Sequence, residues 1–169
     1  MAATPQRWTF PDSETDNQMT IYDRLREQHI ELAKPTPPVA AFVPAVPTGN
    51  LLFISGHIAK RDGNPWAGQL GAGVTTEEGR SAARTVAIDL LATLHHELGD
   101  LARVKRIVKL LCLVNSAPHF TEQHLVANGA SQLLQEVFGP SGVHARSAIG
   151  VAQLPLGCCV EIELIAELI

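Results

Sequence analysis

The pattern of hydrophobic and polar residues predicts a helix and a hairpin in the first third of the chain. Apolar side chains recur at helical spacing in IYDRLREQHIEL, with Thr20 as an N-cap before them. The prolines from Pro35 onward require the helix to stop near Ala33. Two apolar runs follow at residues 40–46 and 51–57, and the turn sequence PTGN at 47–50 joins them. We expect these two runs to pair as a β-hairpin.

Two further helices and three further strands follow from the same pattern. A long helix begins at Thr75, which stands three residues before Glu78 as in a capping box, and ends at Gly99. A second helix begins at residue 118 or 121 and ends at Phe138, before the Gly-Pro pair. Apolar runs at 106–114, 145–152 and 160–169 predict strands.

The element order β-β-α-β-α-β-β, after an N-terminal helix, predicts an α+β fold with one sheet and two helices on one of its faces. The other face of such a sheet should be polar, so its strands should alternate apolar and polar residues. Instead, the segments 51–54 and 107–114 are apolar at nearly every position. We therefore expect another subunit to bury the second face.

Length and composition indicate a single domain over residues 19–169, preceded by a polar flexible tail over residues 1–18. A hydrophobic content of 46% excludes an intrinsically disordered chain. No apolar run is long enough to span a bilayer or to form a signal peptide, so we predict a cytoplasmic protein without a membrane partner. Cys112, Cys158 and Cys159 lack disulfide or metal spacing, which favours buried, reduced thiols.

Several kinds of site are disfavoured by spacing and charge. The seven histidines show no metal-ligand spacing, and we expect neither a metal nor a cofactor. Ser55 lacks the sequence of a nucleophile elbow. The net charge of −4 and the aromatic content of 5% argue against a nucleic-acid partner. The one basic cluster, which we interpret as solvated strand-edge residues, consists of Arg103, Lys105, Arg106 and Lys109.

Arg146 is the residue that most strongly indicates a binding site. It begins an otherwise apolar strand, where burial of a guanidinium is costly without an anionic partner. Its planar fork suits a carboxylate or a phosphate. Glu161 follows fifteen positions later, on a strand that we expect to pair antiparallel with the strand of Arg146. The residues alone leave two possibilities open: a ligand anion, or an internal ion pair with Glu161 or Glu163.

Several segments resemble the RidA/YjgF family. They are GNLLFISG at 49–56, ARS at 145–147, LP at 154–155 and VEIE at 160–163. The runs VNSAP at 114–118 and NGAS at 128–131 resemble a longer-chain branch labelled "putative endoribonuclease L-PSP". The resemblance covers about residues 35–169. It implies a chorismate-mutase-like fold, a homotrimer, and ligand clefts between subunits.

The resemblance also implies a function and a set of site residues. In active members an arginine, matched by Arg146, binds the carboxylate of a 2-imino or enamine acid, and a glutamate, matched by Glu161, positions the hydrolytic water. The products are a ketoacid and ammonia. The residues expected to line the cleft are Ser55, Asn128 and His144, with Phe42 as an apolar wall.

Two other functions are suggested by differences from the deaminase branch of the family and by the label of the longer-chain branch. Phe42 stands where the deaminase branch has a tyrosine, and Ala148 stands where it has a cysteine. The missing tyrosine hydroxyl favours a non-catalytic protein that binds small metabolites. The family label suggests an endoribonuclease instead, which the acidic balance of the chain disfavours.

Overall fold

The computed structural model describes residues 19–38 and 40–169, and its main feature is a five-stranded mixed sheet. The helices are α1 (Ile21–Glu27), α2 (Thr76–Leu98), α3 (Gln123–Val126) and α4 (Asn128–Phe138). The strands are β1 (Ala45–Thr48), β2 (Leu51–Ile58), β3 (Lys60–Arg61), β4 (Asn64–Pro65), β5 (Gln69–Leu70), β6 (Gly73–Val74), β7 (Val104–Asn115), β8 (Ala145–Val151) and β9 (Val160–Leu168).

The strand order in the main sheet is β1-β2-β9-β7-β8. Strands β7 and β8 are parallel, and the other neighbours are antiparallel. The predicted antiparallel pairing of the last two strands is therefore wrong, because β7 lies between β8 and β9. The α3–α4 segment connects β7 to β8 as a crossover, which a parallel pair requires.

Local sequence sets the helix ends. Thr20 and Thr75 form the predicted N-caps, each within a capping box. Gly99 ends α2 with a φ of 75°, in the left-handed region that glycine adopts easily. Helix α1 ends at Glu27, earlier than predicted, because His29 takes a φ of 54° and the Ile30 N–H donates back to the Leu25 carbonyl. That back-bond closes the last turn before the prolines are reached.

The predicted second helix is divided into α3 and α4 at Ala127. Helix α4 then packs closely on α2 through Gly129. A Cβ at Gly129 would lie 1.9 Å from the backbone carbonyl oxygen of Arg80, so no larger residue fits without moving a helix. This contact fixes the first turn of α4, where Asn128 lies.

The hydrophobic core lies between the helices and one face of the sheet. On β9, Ile162 and Leu164 are buried in that core, whereas Glu161 and Glu163 project from the opposite face. No helix covers the opposite face among the described residues, and it carries many apolar side chains beside the charged Glu161, Glu163 and Lys109. The exposed or half-buried side chains on this uncovered face include Val46, Phe53, Leu111, Leu113, Ile149 and Ile165.

The predicted helices-on-one-face arrangement is confirmed, and the subunit expected on the uncovered face stays a prediction. Residues 1–18, predicted to form a flexible tail, lie outside the described residues. Within 19–38 and 40–169, none of the helices has the length and apolar character needed to cross a bilayer.

Candidate functional site

Arg146 projects from β8 toward α3 and α4. Its Nη1 donates to Asn128 Oδ1 at 2.9 Å and to Ser131 Oγ at 3.0 Å. Its Nη2 donates to the backbone carbonyl of His124 at 3.1 Å. All three acceptors are neutral, so they orient the guanidinium without cancelling its charge.

His144 extends this arrangement as a directed chain of hydrogen bonds. Its Nδ1 lies 2.7 Å from the carbonyl of Gly142, which can only accept, so Nδ1 carries the ring proton. Its Nε2 then accepts from the Ser131 hydroxyl at 3.0 Å, which leaves the lone pairs of Ser131 for Arg146. Burial, together with the positive charge of Arg146, lowers the pKa of His144 against the opposing effect of the Gly142 bond. His144 is therefore neutral near pH 7.

The internal ion pair of Arg146 with Glu161 or Glu163 is not formed. Among the described residues, no salt bridge involves Arg146. Three of its five N–H groups have acceptors, and the Nε–H and one Nη2–H have none within the described part of the chain. Two neighbouring guanidinium N–H groups match the two oxygens of a carboxylate.

Glu161 lies on the other side of the sheet. Arg146 pairs with the core residue Leu110, whereas Glu161 pairs with Leu113 on the uncovered face. Strand β7 also separates them, which adds about 10 Å for two strand spacings. A single chain therefore does not bring Arg146 and Glu161 into one cleft.

The surroundings of Glu161 favour its protonated form more than water does. Its carboxylate rests on Gly56, where a Cβ would lie 2.1 Å from Oε1. Burial raises the pKa of Glu161, and the negative charge of Glu163 raises it further. Ser55 precedes Gly56, and its hydroxyl donates to the Val43 carbonyl at 2.7 Å.

Phe42, the predicted apolar wall, lies next to Val43 in the same tethered segment and is 51% exposed. Of the six predicted residues, hydrogen bonds through Ser131 connect one set of three, and we name the sets after their charged members. The arginine group comprises Arg146, Asn128 and His144, and the glutamate group comprises Glu161, Ser55 and Phe42.

Comparison with known proteins identifies the family. Residues 23–168 match the sequence model of the family described as "YjgF/chorismate mutase-like, putative endoribonuclease". The chain belongs to this family. Protein TCP17 of Trypanosoma cruzi is 48% identical over 146 residues, which cover 85% of this chain and 91% of TCP17. The resemblance found in the sequence is therefore confirmed.

Two solved structures support the YjgF-family fold. The protein Atu1372 of Agrobacterium tumefaciens, described as having unknown function, is 41% identical with a TM-score of 0.79, over 88% of this chain and 92% of that one. A "putative endoribonuclease" of Shewanella oneidensis is 32% identical with a TM-score of 0.85, over 89% of this chain and 100% of that one.

Two further partners of Arg146 in this YjgF-family chain, Ser131 and the His124 carbonyl, were given no role from the sequence. Ser131 bonds both Arg146 and His144. Its position three residues after Asn128 places both on one face of α4, and this spacing was a usable signal. The His124 carbonyl carries no side-chain signal, because any residue supplies a backbone acceptor.

Metal ligands, cysteine thiols and surface depressions were also considered as sites in this YjgF-family chain. In the described ranges, no group of three potential metal ligands is found. Burial raises the pKa of Cys112 and Cys158 to about 12 and that of Cys159 to about 11, so these thiols stay protonated. A shallow depression of about 500 Å³ at the start of α2 includes none of the predicted site residues.

Three residues of the basic cluster, Lys105, Arg103 and Lys109, make polar contacts within the chain. Lys105 pairs with Glu167 at 2.8 Å, and Arg103 donates to the Leu98 carbonyl at 3.0 Å. Lys109 projects from the uncovered face and donates to Ser147 Oγ at 2.8 Å. Glu167 offsets the charge of Lys105, whereas the acceptors of Arg103 and Lys109 are neutral and leave those two charges in place.

Proposed function

We propose that the protein binds small carboxylates in a cleft between subunits of a homotrimer, with Arg146 as the carboxylate receptor. The observation that carries this proposal is a half-buried guanidinium held by three neutral acceptors and by no carboxylate of the described chain. A cation in such a place gains from an external anion, because the neutral acceptors have already fixed its orientation.

We further propose that the cleft hydrolyses 2-imino or enamine acids. Glu161 of the same chain lies on the opposite face of the sheet, so a complete site would combine Arg146 of one subunit with Glu161 of the partner subunit. Water would add to the C=N carbon and give a proton to the Glu161 carboxylate. Glu161 would pass this proton to the nitrogen, and the added hydroxyl would lose its own proton to the nitrogen as the C–N bond breaks, which releases ammonia and leaves the ketoacid. The raised pKa of Glu161 suits it to take up this proton.

Titration calorimetry with 2-oxobutyrate tests the role of Arg146. Arg146→Ala should weaken binding about ten- to a hundredfold, as expected for a lost charge-assisted bond of about 1.5–3 kcal/mol. Arg146→Lys should restore little, because an ammonium lacks the planar fork. The matched control is Arg84→Ala, which removes a surface arginine paired with Glu136 and should leave affinity unchanged.

The same titrations separate binding from hydrolysis. Glu161→Gln should retain 2-oxobutyrate binding and lose ammonia release from a 2-imino acid, because an amide cannot act as a base. Equal affinity of wild type and Arg146→Ala would contradict the carboxylate site. Tight binding by the wild type without ammonia release would identify a non-catalytic metabolite-binding protein, in agreement with the missing hydroxyl at Phe42.

A further inference from the structure

Strand β2 contains a β-bulge next to the glutamate group. Two residues of β2, Ser55 and Gly56, stand opposite the single residue Glu163 of β9. A bulge of this kind changes the direction of the side chains that follow it and interrupts the ladder of backbone hydrogen bonds. The pairs on either side of it are Ile54 with Leu164 and His57 with Ile162.

The bulge brings the backbone of β2 against the Glu161 carboxylate. Gly56 lies so close to Oε1 that a side chain at this position would overlap it. The position of the bulge therefore determines how much water reaches the carboxylate. A bulge that moved by a fraction of an ångström would change the solvation of Glu161, and with it the pKa.

His57 ties the bulge to the helix layer. Its Nδ1 lies 2.7 Å from the Ser55 carbonyl, which can only accept, so Nδ1 carries the proton. Its Nε2 accepts from the hydroxyl of Thr93 at 2.8 Å, and Thr93 is buried in α2. Burial lowers the pKa of His57 and favours the neutral ring that this pattern requires.

We propose that His57 is a positioning residue for Glu161, because it fixes the bulge on which the Glu161 carboxylate rests. The Ser55 carbonyl in an interrupted ladder needs a donor, and the Nδ1–H supplies it. Thr93 sets the ring orientation, so the bulge is joined to the core through one side chain. The functional meaning of this role rests on the proposed function, in which Glu161 takes a proton from water.

The pKa of Glu161, measured by carbon-13 NMR on the intact glutamate-labelled protein, tests this role. The Glu161 signal is identified by its loss in Glu161→Gln. In His57→Asn the amide nitrogen replaces Nδ1 and keeps the Ser55 bond, so the pKa of Glu161 should stay at its wild-type value. His57→Gln places the amide nitrogen near the Nε2 position, and His57→Leu has no donor. Both should lower the pKa toward the ordinary glutamate value of about 4.3, because water reaches the carboxylate.

A threonine on the same helix provides the matched control. The Thr85 hydroxyl donates to the Ala82 carbonyl of its own helix, at 2.8 Å, so Thr85→Val should leave the pKa of Glu161 unchanged. A wild-type pKa in His57→Gln would overturn the proposal, as would a lowered pKa in His57→Asn. The comparison of His57→Gln with His57→Asn therefore tests whether His57 positions Glu161 even if His57→Leu does not fold.

Measuring 2-oxobutyrate binding in the same samples distinguishes a failure of the proposed carboxylate site from a failure of the proposed role of His57. Absence of binding by the wild type contradicts the carboxylate site, and the NMR comparison still decides whether His57 positions Glu161.

Discussion

At the scale of single residues, two histidines with neutral rings form hydrogen bonds in the candidate site. His144 completes the hydrogen-bond chain around Arg146, and His57 completes the one around the β2 bulge. Burial is the main cause of the lowered pKa in both. A histidine whose ring must stay neutral makes the folded state sensitive to acid.

The sign of this sensitivity follows from proton binding. In the unfolded chain both histidines titrate near about pH 6.5, whereas the folded pKa values are lower. Stability is therefore complete above about pH 6.5 and falls as the pH drops from there through the folded values, since the unfolded state binds more protons. Thermal melts between about pH 8 and 5 should show this loss. His144→Gln keeps an acceptor for Ser131 and should reduce this loss of stability at low pH. If the pH dependence of Tm is the same in His144→Gln and wild type, His144 is not one of the groups that cause it.

At the scale of elements, the sequence predicts structural features that are set by neighbouring residues. It misses features that are set by contacts between residues far apart in the chain. The capping box at Thr75 and the stop at Gly99 are local, and both are confirmed. The division at Ala127 and the bulge at Gly56 were missed. The first accompanies the packing of α4 on α2, and the second depends on the pairing of β2 with β9. Neither partner is close in sequence.

The N-cap of α2 gives a prediction about one element. Thr75 accepts from the Glu78 N–H, and the Glu78 carboxylate accepts from the Thr75 N–H in return. Thr75→Ala should destabilise the protein by about 1 kcal/mol, which lowers Tm by about 2–4 °C in a chain of this size. Ser81→Ala, an exposed change inside the same helix, should not lower Tm, because alanine is the better helix former. Equal melts of Thr75→Ala and wild type would contradict the contribution of the cap.

At the scale of the whole molecule, the apolar second face was predictable, but the place of each strand in the sheet was not. Leu111 and Leu113 lie on the uncovered face, as the unbroken apolar run indicated. The same run gave no information on which strand lies beside it. The predicted contact between the strands of Arg146 and Glu161 was wrong for that reason, and the residues alone left open whether Arg146 meets a ligand anion or an internal carboxylate.

Light scattering tests the assembly that we propose for this face. The wild type should have three times the chain mass of 18.2 kDa at micromolar concentration. Leu111→Asp and Leu113→Asp should each dissociate or unfold the protein, because an unpaired buried charge costs several kcal/mol. Met19→Asp changes an exposed side chain ahead of α1 and should leave the mass unchanged. A monomeric wild type would contradict the trimer.

The separation of Arg146 and Glu161 by the sheet has a kinetic consequence under the proposed function. Each chain carries both groups, yet no chain can use its own pair. Turnover per chain would then be a function of total protein concentration, approaching zero on dilution below the dissociation constant of the assembly. A ligand that bridges the two subunits would oppose that dilution, so substrate would favour formation of its own catalyst.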